Sequence, residues 1–163
     1  KKFLMNFSFK MLIKQLTDKL ITAVKNKDKE SINTIRLILA AIKDKEIALR
    51  SEDKNKKISE EVIFNILKNM IKQRNESIDM YKKGNRPELV NKEKKEIDII
   101  QGFLPEQLNE TAIEHICKEI IQKLNANNMS DMGKVMTEIK KHKLSSQIDM
   151  AKVSSCVKII LRS

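Results

Sequence analysis

Apolar residues recur every three or four positions along this chain and seldom alternate. Leu16, Leu20 and Val24 stand four apart, a spacing that lines one face of an α-helix and predicts a first helix over about 12–25. The stretch N-K-D-K-E follows and offers Asp28 as the cap of a second helix. That helix carries Ile32, Ile35, Leu39 and Ile42, flanked by Leu37, Ile38, Ala40 and Ala41. Being apolar over most of its circumference, it is expected at the centre of a bundle. After the charged connection 51–58, Ser59 caps a third helix with Glu60 and Glu61 in the first turn, where the dipole favours carboxylates. Its stripe is Val62, Ile63, Ile66, Leu67, Met70, Ile71, Ile78 and Tyr81, and Gly84 ends it. Asn85 as cap, Pro87 in the first turn and Glu88 reaching back start a fourth helix, with Leu89, Val90, Ile97, Ile100 and Leu104.

Pro105 interrupts the periodicity, and 104–110 reads as a linker into a second unit. Asn109 caps a fifth helix with Ile113, Ile116, Cys117, Ile120, Ile121 and Leu124. Ser130 or Asp131 caps a sixth with Met132, Val135, Met136 and Ile139. A seventh carries Met150, Val153, Val157, Ile160 and Leu161. The expected organisation is an extra segment 1–11, a helical region of about four helices over 12–104, and a small three-helix tail over 105–163.

Composition agrees with an all-α chain. Of 163 residues, 40% are hydrophobic but only 4% aromatic, so aliphatic side chains must fill the interior, and three glycines and two prolines leave little turn chemistry for a β-protein. The longest apolar run, 37–42, is far too short to span a bilayer. The basic, apolar start lacks a small-residue cleavage site and is not read as a signal peptide. Because it begins at Lys1, it is expected to be trimmed or processed, with two origins open: the remnant of an organelle transit sequence, or an extended native start with Met5 or Met11 as the initiator.

The net charge of +11 invites a polyanion as partner. The excess is mostly Lys, accompanied by abundant Ile and Asn. These residues have A/T-rich codons, so genome bias can produce the same charge without selection for binding. The tail divides unevenly: 105–133 holds two Lys/Arg against five Asp/Glu, 134–163 seven against two. On helical wheels Lys134 and Lys141 lie opposite the sixth helix's apolar stripe, Gly133 and Lys140 on its flank. In the seventh, Lys152 lies opposite the stripe, with Lys158 and Arg162 to one side. These seven positions are candidates to track a nucleic-acid backbone. Gly133 near the helix start leaves backbone amides uncovered, where a phosphate can seat. The favoured alternative for the glycine is close approach of another helix.

No catalytic constellation is evident. An amidase needs an activated Ser or Cys with a positioned base. Cys117 and His115 are two apart on a helix and do not face each other. The histidines have no ligand-spaced partners, so no metal or other cofactor is expected. Cys117 and Cys156 are expected as buried free thiols. Arg36, Arg74, Glu93 and Glu96 fall close to apolar stripes. Interhelical ion pairing, Arg74 with Glu93 or Glu96, is favoured over a charged binding groove.

Five stretches occur together in order: T-I-R-L-I-L-A-A-I-K-D-K-E-I (34–47), I-K-Q-R-N-E-S (71–77), G-N-R-P-E-L-V-N-K-E (84–93), F-L-P-E-Q-L (103–108) and S-D-M-G-K-V-M (130–136). The set resembles the YqeY family, from about residue 12 to the end. That family's C-terminal part is similar to the tail domain of GatB, the tRNA-recruiting subunit of the glutamine-dependent tRNA amidotransferase. The resemblance implies an all-α protein in two parts and a link to carbon–nitrogen ligation with glutamine as amido donor. The partners it implies are tRNA and amidotransferase subunits; no membrane is expected, from the short apolar runs. It leaves oligomeric state open. The compartment is cytoplasm for a bacterial source, a mitochondrial or plastid matrix for a eukaryotic one. Where the family has a Gly-Arg-Ala-Asp-Gly-like turn between the last two helices, this chain has L-S-S-Q-I-D-M (144–150), so an arginine available for phosphate is absent there. The rival function is a protein-interaction module, with an apolar patch around Ile159.

Overall fold

A computed structural model describes residues 9–54 and 57–162. The described residues hold α-helices and 3₁₀ turns and no strand, and they divide into two compact units that meet in sequence between Leu104 and Pro105. The first contains α1 (Phe9–Lys25), α2 (Lys29–Glu52), α3 (Glu60–Lys83) and α4 (Pro87–Gln101). The second contains α5 (Glu110–Lys123), α6 (Met132–Lys140) and α7 (Met150–Arg162), with 3₁₀ turns at Met129–Asp131 and Ser145–Gln147. Of the expected extra segment, residues 1–8 lie outside the described residues, whereas 9–11 belong to α1, which begins before Leu12.

In the first unit α2 packs against α1, α3 and α4. Its burial is one-sided all the same. Ile35, Ile38, Ile42 and Leu49 are buried, while Leu37 is 51% exposed. The helix is apolar over more of its surface than its neighbours cover. In α1 the buried positions are Leu12, Leu16 and Ala23, and Val24 is half exposed, so the face turns one residue earlier than the four-residue spacing predicts. These side chains meet Ile63, Leu67 and Met70 of α3 and Ile100 beyond them in one aliphatic core. Ile78, Val90 and Ile97, with Tyr81 beside them, form a satellite between α3 and α4.

In the second unit α5 packs on both α6 and α7, and α6 on α7. Ile113, Cys117, Val135, Ile139, Val153 and Val157 fill the centre. The stretch between α6 and α7 has no glycine and forms the Ser145–Gln147 turn. Its carbonyls hold the incoming linker. Leu108 N–H donates to Gln147 O at 2.8 Å, and the Gln107 amide donates to Ser146 O at 3.2 Å. Ile148 next to them is fully buried.

Helix starts follow the capping residues in most cases. Asp28 accepts from Ser31 N–H at 3.1 Å and from the Ser31 hydroxyl at 2.6 Å, and these bonds hold its carboxyl below the usual range. Asn109 accepts from Ala112 N–H at 2.9 Å, and Ser59 from Val62 N–H at 3.4 Å. At α4 the expected cap is displaced: Arg86 occupies the position without a side-chain bond. Asn85 instead takes φ 52° in the left-handed region. There Arg86 N–H reaches Tyr81 O and Asn85 N–H reaches Lys82 O, the paired bonds that close a helix through a left-handed residue. Lys27 (φ 56°) ends α1 and Asn125 (φ 49°) ends α5 through the same pattern. A lysine in this conformation brings its Cβ against its own carbonyl at a cost of about 1 kcal/mol. Lys27→Gly is therefore expected to raise stability by about 1 kcal/mol, read as an increased urea midpoint at unchanged m value.

Candidate nucleic-acid interface

The start of α6 is not the open helix end that Gly133 suggests. The Met129–Asp131 turn runs straight into it, so Asp131 N–H donates to Asn128 O and Met132 N–H to Met129 O. Asn128 Oδ1 accepts both the Ser130 amide and the Ser130 hydroxyl. Asp131, which also accepts from Asn127 N–H at 3.1 Å, places a carboxylate at the same end. The amides of residues 130–132 are engaged, and the Asp131 charge opposes an anion. Neither Ser130 nor Asp131 caps α6 with its side chain; Asn128 caps the preceding turn instead. Close helix packing at Gly133 is also corrected. A Cβ built there meets no atom within 4 Å, and the residue is exposed. Gly133 leaves an open flank on α6, and its carbonyl accepts the Thr137 hydroxyl at 2.8 Å.

The candidate cations sort by partner. Lys134 stands 3.8 Å from Asp131, Lys141 4.0 Å from Glu138, and Lys152 3.8 Å from Glu110. All three are exposed, and such pairs contribute little. Lys140, Lys158 and Arg162 are exposed and make no ion pair among the described residues. Lys143 shares that condition. It stands in the connection after α6, which a helical wheel does not reach, although the run K-K-H-K carries the signal. Lys140, Lys141 and Lys143 gather where α6 ends, and the carbonyl end of a helix favours positive charge.

In the first unit, Arg74 Nε on α3 donates to Glu96 Oε2 on α4 at 2.9 Å, and Arg74 Nη1 donates to Met70 O at 3.1 Å. The two side chains are 12% and 15% exposed, so the pair is a largely desolvated bridge between helices. Glu93 is half-buried and makes no ion pair among the described residues, and Arg36 is exposed on α2 without one, so ion pairing does not hold for these two. Arg36 projects from the face of α2 opposite Ile38.

His115 is exposed while Cys117 is buried, so they face apart. Among the described residues no group of three His, Cys, Asp or Glu is placed to hold a metal ion, and no helix is long and apolar enough to cross a membrane. A groove of about 540 Å³ runs between α5 and α7, lined by Ile113, Cys156, Ile159 and Ile160 with Glu110, Glu114 and Lys152 at its polar rim. Ile159 is 70% exposed.

Two outcomes are expected from this geometry. Gly133→Ala should stabilise the chain by about 0.5–1 kcal/mol in urea unfolding, because the helix gains a better former and the Cβ meets nothing. Glu96→Ala should cost about 2–3 kcal/mol, because it strands the Arg74 guanidinium, whereas Arg74→Met combined with Glu96→Leu should recover most of that loss.

Comparison with known proteins matches the sequence of this chain to a family. The family described as "Yqey-like protein" matches residues 13–161. Relatives named altered inheritance of mitochondria protein 41, mitochondrial, are similar along part or most of the chain. That of Pyrenophora tritici-repentis is 27% identical over 152 residues, covering 90% of this chain and 81% of that protein. That of Vanderwaltozyma polyspora is 34% identical over 113 residues, 65% of this chain and 58% of that protein. That of Saccharomyces cerevisiae is 38% identical over 78 residues, 48% of this chain and 40% of that protein. The matches thus span about half of the two yeast relatives. With its match running from the first turns of α1 to the last turn of α7, this all-helical chain belongs to the Yqey-like protein family.

Proposed function

We propose that this chain is a tRNA-associated adaptor, linked to glutamine-dependent tRNA amidotransfer, with α6 and α7 as its RNA-facing side. The observation that carries the reading is the segregation of charge in the tail: seven Lys/Arg against two Asp/Glu over 134–163. Four of those cations, Lys140, Lys143, Lys158 and Arg162, are exposed without a carboxylate partner among the described residues. In this reading α5–α7 stands for the tail domain that holds tRNA in GatB, and carbon–nitrogen ligation belongs to partner amidotransferase subunits. Gly133 contributes by leaving the flank of α6 clear rather than by donating amides. The mitochondrial names of the relatives support a mitochondrial matrix as its compartment. The single Tyr and five Phe supply few stacking platforms, which favours recognition of a folded RNA through phosphate and shape.

The second reading, a protein-interaction module, is favoured by the exposed Ile159 beside the α5–α7 groove. Anisotropy of labelled tRNA across a salt series separates the two. Affinity is expected to fall steeply with salt. The Lys140/Lys143/Lys158/Arg162→Ala variant is expected to reduce the log–log salt slope by roughly 0.7–0.9 for each phosphate it no longer neutralises, and more than the Lys134/Lys141/Lys152→Ala variant does. Absence of binding at low salt, or an unchanged slope in both variants, overturns the RNA reading and leaves Ile159 as the first residue to test in protein capture.

A further inference from the structure

The only two cysteines of the chain, 39 positions apart, sit together on facing helices. Cys117 on α5 is buried, and Cys156 on α7 is half-buried and lines the groove between those helices. Both belong to the core of the second unit, whose α5 and α7 pack directly on each other. Cys156 is near enough to Cys117 to help raise its thiol pKa. We propose that Cys117 and Cys156 form a reversible dithiol–disulfide couple, entered at Cys156 through the groove by a small-molecule disulfide and resolved by Cys117.

The asymmetry of the two sites supplies the order of events. Burial, reinforced by the neighbouring Cys156, pushes the Cys117 thiol up to about 12, so it stays protonated and out of reach of solvent reagents. Cys156 is half-buried and borders the groove, where a solvent-borne disulfide can reach it. In the first step the Cys156 thiolate attacks one sulfur of R–S–S–R. The S–S bond breaks, R–S⁻ departs and takes up a proton, and Cys156 carries S–S–R. In the second step Cys117 attacks the Cys156 sulfur, its proton passing to the departing second R–S⁻. The protein thiols lose two electrons and two protons, and R–S–S–R is reduced to two R–SH. The new bond needs the sulfurs to close to about 2.05 Å, and it clamps α5 to α7 beneath the groove. This proposal is independent of the RNA reading.

The test is to treat the whole chain with oxidised glutathione, quench with iodoacetamide, and map peptides. The wild type is expected to yield the α5 peptide joined to the α7 peptide with no glutathione retained. Cys117→Ala is expected to retain glutathione on Cys156, with circular dichroism reporting whether it folds. Cys156→Ala is expected to leave Cys117 unmodified until denaturant is added. In the reduced wild type, which needs no variant to fold, Cys156 should alkylate roughly tenfold or more faster than Cys117. A stable glutathione adduct on wild-type Cys156, a disulfide joining two chains, or two thiols that remain free each overturns the couple.

Discussion

Burial of branched aliphatic side chains along helical stripes is the interaction on which both units rest. With almost no aromatic rings, the chain must assemble its interior from Ile, Leu, Val and Met, each contributing about 1.5–3 kcal/mol when fully buried. Such residues fill space by number and shape, so each stripe has to meet several others. The first unit does this with four helices, where Ile38, Ile63, Leu67 and Ile100 are wholly enclosed. The second has fewer residues, and small domains bury a smaller fraction of their surface. That makes its connecting turn part of the core. Ile148 plugs the interior, and the Ser146 and Gln147 carbonyls hold the linker residues Gln107 and Leu108.

Charge works in two different ways in the two units. The Arg74–Glu96 bridge is largely shielded from water and joins α3 to α4. Its net contribution against an apolar pair is small, since desolvation offsets most of the attraction. The tail's cations are solvated and mostly contribute a long-range field. Some are partly neutralised by nearby carboxylates, as Lys134 is by Asp131 and Lys141 by Glu138. The ones without such partners are where a polyanion gains most from contact. Carboxylates and lysines of α5 pair with both basic helices, Glu110 with Lys152 and Lys123 with Glu138.

The α5–α7 seam concentrates what remains chemically distinctive: an apolar groove, an exposed isoleucine and two thiols in one core. Each cysteine taken alone reads as a small core residue. Their meeting follows from the packing of α5 on α7, and the 38 residues between them carry no trace of it.

The sequence by itself determined the helical class, the break at Pro105, most helix limits and most of the core. Three-and-four periodicity and capping residues are local properties, and a stripe such as Ile113, Ile116, Cys117, Ile120 needs no partner to be visible. It also carried the family through five ordered motifs, and the candidate basic positions through composition. Tertiary structure alone decided which apolar residues stay outside, because Val24 and Leu37 lie on faces that no neighbouring helix covers. It decided the partner of Arg74, since Glu93 and Glu96 are one turn apart and only packing angle separates them. It decided that Gly133 neither seats a helix nor opens one, because a preceding 3₁₀ turn consumes the amides. Local pattern shows which face of a helix is greasy. Only the meeting of helices shows which atoms on that face are covered, paired or left for a partner.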